Sequence, residues 1–164
     1  YMEKIAIGPN LPQNIVDLDF NLKKNVELLS KAKNTKPNKL TACVLKRPRH
    51  DFIIKVLTEM DVKINYISDG DVTGAISVAK PKNGVDIYLG VGGAPEGVLA
   101  AAALNCLGCQ MQTRLVFQNV DEKKRTKKLT TLDGRETAPL EVKPDHFLDN
   151  KGKPLTFFEA VLKP

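Results

Sequence analysis

Residues 85–107 read VDIYLGVGGAPEGVLAAAALNCL, which is a short β-rich run, a glycine turn and a long, almost uncharged helical segment. Pro95 stands at the predicted first position of that helix, a place that proline favours. A strand, loop and helix in this order direct backbone N–H groups at an anion. Glu96 lies in the first helical turn, where a carboxylate either stabilises the helix terminus or binds a metal ion beside the anion. This stretch alone leaves both interpretations open.

The same order of elements occurs twice upstream. Residues 41–46, 47–50 and 51–60 read as a strand, a polar loop and a helix, and residues 62–67 read as the next strand. The loop that follows covers residues 68–71, and Asp71 is the predicted N-cap of a short helix through Val78. Three such units predict an α/β fold with a parallel sheet, right-handed crossovers and all three loops at one edge.

The three loops together carry polar side chains suited to an anionic, hydroxylated ligand. They hold two arginines, a histidine, two aspartates and a glutamate. Arginine offers paired donors to phosphate, whereas carboxylates accept from hydroxyls or bind a hard cation. Ligands of open α/β sheets bind at the carboxyl edge of the strands. We therefore expect Arg49, Asp71 and Glu96 to lie along a common edge of the sheet.

The segments on either side of these units are less informative. Residues 2–7 predict a short strand that ends at Gly8 and Pro9, residues 19–32 a helix, and residues 114–117 a fourth strand. From residue 121 onward the chain is charged and contains several turn signals. We assign no chemistry to this tail, and we interpret His146 within it as a surface residue.

Composition argues against several classes of protein. The 164 residues are 42% hydrophobic, which suffices for one ordinary core and not for two large domains. The formal net charge of +6 is spread out, and its one dense cluster, 123–128, has no interleaved aromatic residues, which favours a solvated helix face over nucleic-acid binding. The sequence shows no uncharged run of membrane-spanning length and no signal peptide at its start. A soluble cytoplasmic protein with no nucleic-acid or membrane partner is expected.

Cys106 and Cys109 form a lone C-x-x-C motif. No second such pair and no paired histidines follow, so a zinc site would lack ligands. A thioredoxin-like pair would open a helix, whereas this pair closes one, with Gly108 as the predicted C-cap. A structural role is therefore favoured over redox or metal chemistry.

The glycine turn also bears on dinucleotide binding. Gly90 and Gly92 occupy the first two places of the pattern G-x-G-x-x-G, but Pro95 occupies the third. No Asp or Glu lies about 20 residues further on to bind a ribose. The sequence therefore disfavours a nicotinamide or flavin site.

Several segments together resemble one protein family. They are YMEKIAIGP at residues 1–9, RPRH at 47–50, DGDV at 69–72, GVGGAPEGVLAAAAL at 90–104 and QMQTRL at 110–115. In composition, order and spacing they resemble the class II fructose-1,6-bisphosphatases of bacteria, and the glycine turn with its alanine-rich helix is highly specific. The resemblance covers residues 1–125. It implies the C-terminal-half domain of a sugar-phosphatase-like layered sandwich.

The resemblance implies a cytoplasmic enzyme of gluconeogenesis, expected to be a homo-oligomer, that uses Mn²⁺ or Mg²⁺ to remove the 1-phosphate of fructose 1,6-bisphosphate. It implies contacts to the sugar phosphate from Tyr1, Arg47 and Arg49, contacts to the sugar hydroxyls from Asp69, Gly70 and Asp71, a substrate contact from Gly93, and a metal contact from Glu96. Pro48, between the two arginines, belongs to the same substrate-binding set.

Two departures from the family pattern shape the expectations. Family members are about twice as long, and their first half carries an Asp-Pro-x-Asp/Glu-Gly-Thr motif, with most of the metal-binding carboxylates, that is absent from this sequence. We expect the chain to be the second half of a longer enzyme and to be inactive alone. Residues 126–164 differ from the family and form a divergent tail of uncertain role.

Two other functions remain as alternatives. The chain could be a non-catalytic phosphosugar-binding module in which Glu96 only caps its helix, or a nucleic-acid-binding protein on account of its basic charge. Within the enzyme interpretation, the preferred metal and the use of sedoheptulose 1,7-bisphosphate as a second substrate stay open.

Overall fold

The computed structural model describes residues 1–80 and 84–117. In these residues five strands form one sheet: β1 (Met2–Ile7), β2 (Thr41–Leu45), β3 (Lys63–Ile67), β4 (Ile87–Gly92) and β5 (Gln110–Leu115). The α-helices beside them are α1 (Leu22–Ala32), α2 (Asp51–Glu59), α3 (Asp71–Ile76) and α4 (Ala94–Cys106). Short 3-10 turns lie at Pro37–Lys39, Pro48–His50 and Ser77–Ala79. The described chain is therefore α/β, as predicted.

The strands follow the order β3-β2-β4-β1-β5 across the sheet. β2 is parallel to both β3 and β4, which confirms the predicted parallel arrangement of the three repeated units. β1 runs antiparallel to its two neighbours, β4 and β5. This reversal brings the start of β1 to the edge where the parallel strands end, with Met2 opposite Gly92. Tyr1, which precedes β1, therefore reaches the same edge as the three loops.

Helices cover both faces of the sheet, so the described chain has three layers. On one face, α3 and α4 pack against a buried cluster that includes Met2, Cys43 and Tyr88. On the other face, α1 and α2 pack against a second cluster that includes Ile5 and Val44. Successive residues of a strand point to opposite faces, and both faces are covered, which explains the nearly continuous apolar runs of β2 and β4. The layered α/β sandwich is confirmed.

Several element boundaries differ from the prediction for local reasons. α1 begins at Leu22 and not at residue 19, because Asn21 is its N-cap and accepts a hydrogen bond from the Lys24 N–H at 2.8 Å. β5 covers Gln110–Leu115 and not 114–117, because it pairs along the full length of β1. β4 begins and ends two residues later than the predicted 85–90.

Two predicted helix starts are wrong. Gly70, and not Asp71, is the N-cap of α3, and its φ of 85° is a left-handed conformation that glycine adopts without strain. The side chain of Asp71 is not available for capping, because it is buried against Lys4 and Tyr88. In α4, Ala94 is the first helical residue and Pro95 is the second.

The end of α4 differs from the prediction by one residue, because Leu107 is the C-cap and Gly108 is the residue after it. Gly108 has a φ of 68°, and its N–H donates to the Asn105 carbonyl at 3.1 Å. The next N–H, from Cys109, donates to the Leu104 carbonyl at 2.9 Å, which completes a Schellman motif. Gly108 therefore ends the helix from the position after the C-cap.

Predictions for the last part of the chain lie outside the described residues. They concern the boundary at 125/126, the charged tail, the basic cluster at 123–128, and His146. Across residues 1–80 and 84–117, none of the helices has both the length and the apolar character needed to cross a bilayer.

Candidate functional site

A crevice opens at the carboxyl edge of the sheet because neighbouring strands send their loops to opposite faces. The loop after β2 leads to α2 on one face, whereas the loops after β3 and β4 lead to α3 and α4 on the other. A cavity of about 290 Å³ lies there. Its lining residues are Tyr1, Leu45, Arg47, Arg49, Asp69, Asp71, Gly92, Gly93 and Glu96.

The cavity brings together most of the residues that the sequence singled out. Arg49, Asp71 and Glu96 share this edge, as the repeated units predicted. The remaining candidates also line the cavity, except Pro48 and Gly70, which support their loops without contributing to its wall. The shared cavity establishes where these residues lie. Their individual roles are proposed below.

Two arginines in the loop after β2 line the cavity. The Arg49 Nε–H donates to the Val91 carbonyl at 2.6 Å, and its guanidinium lies 5.5 Å from the centroid of the Tyr1 ring. These contacts tether Arg49 while its terminal N–H groups stay available for an anion. Arg47 is less anchored, with one bond from Nη1 to the Lys46 carbonyl at 3.2 Å. Both cations stand beside the end of β2, as the loop pattern indicated.

His50 is a buried part of the scaffold and not a side chain facing the ligand. β2 and β4 pair only at Ala42 with Ile87 and at Cys43 with Tyr88, so their ends separate. The imidazole fills the gap: the Val91 N–H donates to Nε2 at 2.8 Å, and Nδ1 lies 2.7 Å from the Leu45 carbonyl.

The imidazole meets the Val91 backbone twice, since Nε2 also lies 3.2 Å from the Val91 carbonyl. Because the backbone N–H of Val91 can only donate, Nε2 is the acceptor in the 2.8 Å contact. His50 therefore links the two strand ends beside the crevice. From the sequence, His50 was interpreted as one of the polar loop residues. Nothing in the sequence indicated that it is buried.

Replacing His50 by Ala should lower the free energy of unfolding by about 2–4 kcal/mol, because the change leaves a cavity and unpaired backbone groups at Leu45 and Val91. Urea unfolding measures the difference. Phe52→Ala, at a 71% exposed position two residues later, is the matched control and should cost under about 0.5 kcal/mol. Equal losses in the two variants would contradict the bridging role of the imidazole.

Two aspartates at the loop after β3 also line the cavity. Asp69 is exposed, and its carboxylate accepts from the Gly70 N–H at 2.8 Å. Asp71 is only 5% exposed, and its carboxylate accepts from both the Lys4 ammonium and the Tyr88 hydroxyl. The backbone of Gly92 lies against this group, since a Cβ there would stand 2.6 Å from Asp71 Oδ2.

Glu96 stands at the N-terminus of α4. Its Oε2 accepts from the Gly93 N–H at 3.2 Å, which is the helix-capping role that the sequence left open beside metal binding. In the described ranges, no three His, Cys, Asp or Glu side chains lie close enough together to hold a metal ion. Glu96 could therefore supply one oxygen ligand here, and a complete coordination shell needs further ligands.

The cysteines fit a structural role. Burial raises the pKa of the Cys109 thiol above its usual value, and burial likewise raises the pKa of Cys43. A raised pKa keeps a thiol protonated at neutral pH and lowers its reactivity. Cys106 is exposed at the end of α4.

Lys4 and Tyr88 belong beside the site, and neither was predicted from the sequence. The pattern of β1 could have indicated that Lys4 is buried. Lys4 is a charged residue that shares a face of the strand with the buried Met2 and Ala6. Tyr88 interrupts the apolar run of β4 with a hydroxyl group that needs a partner when buried. Neither signal indicates which partner the residue meets.

A mixed α/β sheet with arginines, aspartates and a helix-terminal glutamate at the carboxyl edge of its parallel strands is suited to phosphorylated, hydroxylated ligands. The family described as bacterial fructose-1,6-bisphosphatase, glpX-encoded, matches residues 1–141, and the chain belongs to this family.

Named relatives agree with this family. The fructose-1,6-bisphosphatase class 2 of Haemophilus influenzae is 38% identical over 150 residues, which are 90% of this chain and 45% of the relative. Two proteins named D-fructose 1,6-bisphosphatase class 2/sedoheptulose 1,7-bisphosphatase match over 117 residues, or 71% of this chain. The one from Synechococcus sp. is 36% identical with 33% of its length covered, and the one from Synechocystis sp. is 38% identical with 34% covered. The chain thus spans less than half the length of these relatives.

Proposed function

We propose that this chain is the substrate-binding part of a longer enzyme that hydrolyses the 1-phosphate of fructose 1,6-bisphosphate to give fructose 6-phosphate and phosphate. The observation that carries the proposal is the cavity lined by two arginines, two aspartates and Glu96, in a chain of the bacterial fructose-1,6-bisphosphatase family. The names of two relatives make sedoheptulose 1,7-bisphosphate a second candidate substrate.

The two kinds of charged side chain that line the cavity support a division of labour. Arg47 and Arg49 bind a phosphate group through charge-assisted hydrogen bonds. Asp69 and Asp71 accept hydrogen bonds from sugar hydroxyls. Tyr1 stacks beside Arg49 and closes the phosphate end. A phosphorylated sugar presents both kinds of group, whereas a simple anion presents only one.

A divalent cation, Mn²⁺ or Mg²⁺, is the proposed cofactor, and Glu96 is its proposed ligand within the described residues. Bound there, such a cation would stabilise charge on the phosphoryl oxygens and activate a water. The capping bond to Gly93 orients the Glu96 carboxylate at the edge of the cavity. The remaining oxygen ligands are proposed to come from the rest of the longer enzyme.

Arg49→Ala in the full-length protein should weaken substrate binding by about 10- to 150-fold, since one charge-assisted bond to phosphate contributes roughly 1.5–3 kcal/mol. Arg49→Lys should restore only part of the affinity, because an ammonium lacks the planar pair of donors. The KM for fructose 1,6-bisphosphate measures the effect. Lys46→Ala, an exposed cation of the same loop that does not line the cavity, is the control. An unchanged KM in Arg49→Ala would remove Arg49 from the site.

The alternative of a non-catalytic phosphosugar-binding module is favoured by one observation, the capping bond between Glu96 and Gly93. Calorimetric titration separates the two functions. If Glu96 only caps its helix, the full-length protein binds fructose 1,6-bisphosphate equally well with and without Mn²⁺ and releases no phosphate. The proposed enzyme releases phosphate only when the cation is present.

A further inference from the structure

A buried polar group lies beside the cavity and is formed by Lys4, Asp71 and Tyr88, which are 1%, 5% and 0% exposed. Lys4 Nζ donates to Asp71 Oδ2, and the Tyr88 hydroxyl donates to Asp71 Oδ1. Lys4 and Tyr88 do not line the cavity, but Asp71 does. A buried ion pair contributes little net stability by itself, so its place at the cavity wall points to a role in the site.

The two donors restrict what Asp71 can do. An ionised carboxylate only accepts hydrogen bonds and has about four lone-pair sites for them. The ammonium and the phenol occupy one site on each oxygen, which leaves the others for donors inside the cavity. The natural partner of Asp71 in a ligand is therefore a hydroxyl group held in a fixed direction.

Lys4 also allows the Asp71 carboxylate to line a cavity that binds an anion. An unpaired Asp71 would repel a phosphorylated ligand, and the repulsion would be strong because the carboxylate is removed from water. The adjacent ammonium cancels that charge. Asp71 can then accept from hydroxyls without weakening the binding of phosphate at the arginines.

The same ammonium connects two of the loops that form the cavity. Lys4 reaches from β1 to Asp71 at the start of α3 and to the Gly93 carbonyl before α4, the latter at 3.0 Å. Tyr88, on β4, approaches the carboxylate from a further element. Asp71 is therefore oriented by donors from two strands that are adjacent in the sheet.

We propose that Lys4 and Tyr88 are positioning residues that orient Asp71 toward a hydroxyl of the sugar phosphate and so determine affinity for the sugar part of the ligand. They act through Asp71 and not by contact with the substrate. This inference rests on the proposed function, because it presumes a ligand that carries both phosphate and hydroxyl groups.

The test is Tyr88→Phe in the full-length protein, assayed with fructose 1,6-bisphosphate and with inorganic phosphate as a competitive inhibitor. Loss of the phenolic hydroxyl should raise the KM about tenfold, the effect of roughly one hydrogen bond, with a smaller change in kcat. The inhibition constant of inorganic phosphate should stay within about twofold, because phosphate binds at the arginines. Lys4→Met is a less suitable probe, since it leaves the Asp71 charge buried and unpaired.

Tyr66→Phe is the matched control, since Tyr66 is 48% exposed on β3 and does not line the cavity, and its KM should equal that of the unsubstituted protein. An unchanged KM in Tyr88→Phe would overturn the inference, and so would equal increases in the KM and the phosphate inhibition constant, which indicate general loosening. Failure of the unsubstituted full-length protein to hydrolyse the substrate would overturn the proposed function and this inference with it.

Discussion

Purified alone, the 164-residue chain is expected to release no phosphate from fructose 1,6-bisphosphate in the presence of Mn²⁺ or Mg²⁺. Hard divalent cations take about six oxygen ligands, and a single carboxylate with waters gives little affinity over bulk solvent. In the part of the chain that the structure describes, Glu96 is the proposed ligand and no group of three potential ligands occurs. Asp71 is already engaged by Lys4 and Tyr88. A phosphate-release assay with each metal measures the effect.

The matched experiment joins this chain to the part of the Haemophilus influenzae relative that it does not match, and turnover should then appear. In that joined protein Glu96→Gln should lower kcat by about 100-fold or more, because even residues that merely support a metal ligand change activity by about 10- to 100-fold. Its unfolding midpoint should change little. Robust metal-dependent turnover by the isolated chain would show that no further ligands are needed.

Lys4→Met is expected to be the most destabilising single substitution near the site, with a loss of about 3–5 kcal/mol in the free energy of unfolding. The change keeps the length of the side chain but leaves the Asp71 carboxylate buried without its counter-ion. The Gly93 carbonyl loses its donor as well. Denaturant unfolding of the protein measures the loss.

Asp71→Asn, added to Lys4→Met, should recover part of that loss, because the double variant contains no unpaired buried charge. Lys63→Met, at an exposed position of the edge strand β3, is the control and should change stability by less than about 0.5 kcal/mol. If the double variant were as unstable as the sum of the two single variants, charge pairing would not be the source of the effect.

Much of the site could be predicted because its loops follow strands of a repeated unit. Arg49, Asp71 and Glu96 each follow a parallel strand, and that topology alone requires them to share an edge. For β1, the sequence predicted only that a strand forms. Its direction and its place between β4 and β5 depend on pairing with strands far along the chain, which local patterns do not encode.

Errors in the site came from side chains whose partners are distant in sequence. His50 looked like one more polar loop residue, yet the splayed ends of β2 and β4 provide its hydrogen-bond partners. Asp71 looked like a helix cap, since aspartate at the start of a helix is common. Its carboxylate turned inward because a buried ammonium and phenol were there to donate to it.

The sequence by itself determined the α/β class, the three parallel units, the terminating glycine of α4 and the chemistry of the loops, because periodicity, turn residues and side-chain type are local properties. Only the tertiary structure decided the antiparallel placement of β1, the buried His50 bridge, and the engagement of Asp71 by Lys4 and Tyr88. Those partners lie 67 and 17 residues from Asp71 in the chain. Their contacts arise only when the folded sheet excludes water and every buried charge must find a counterpart.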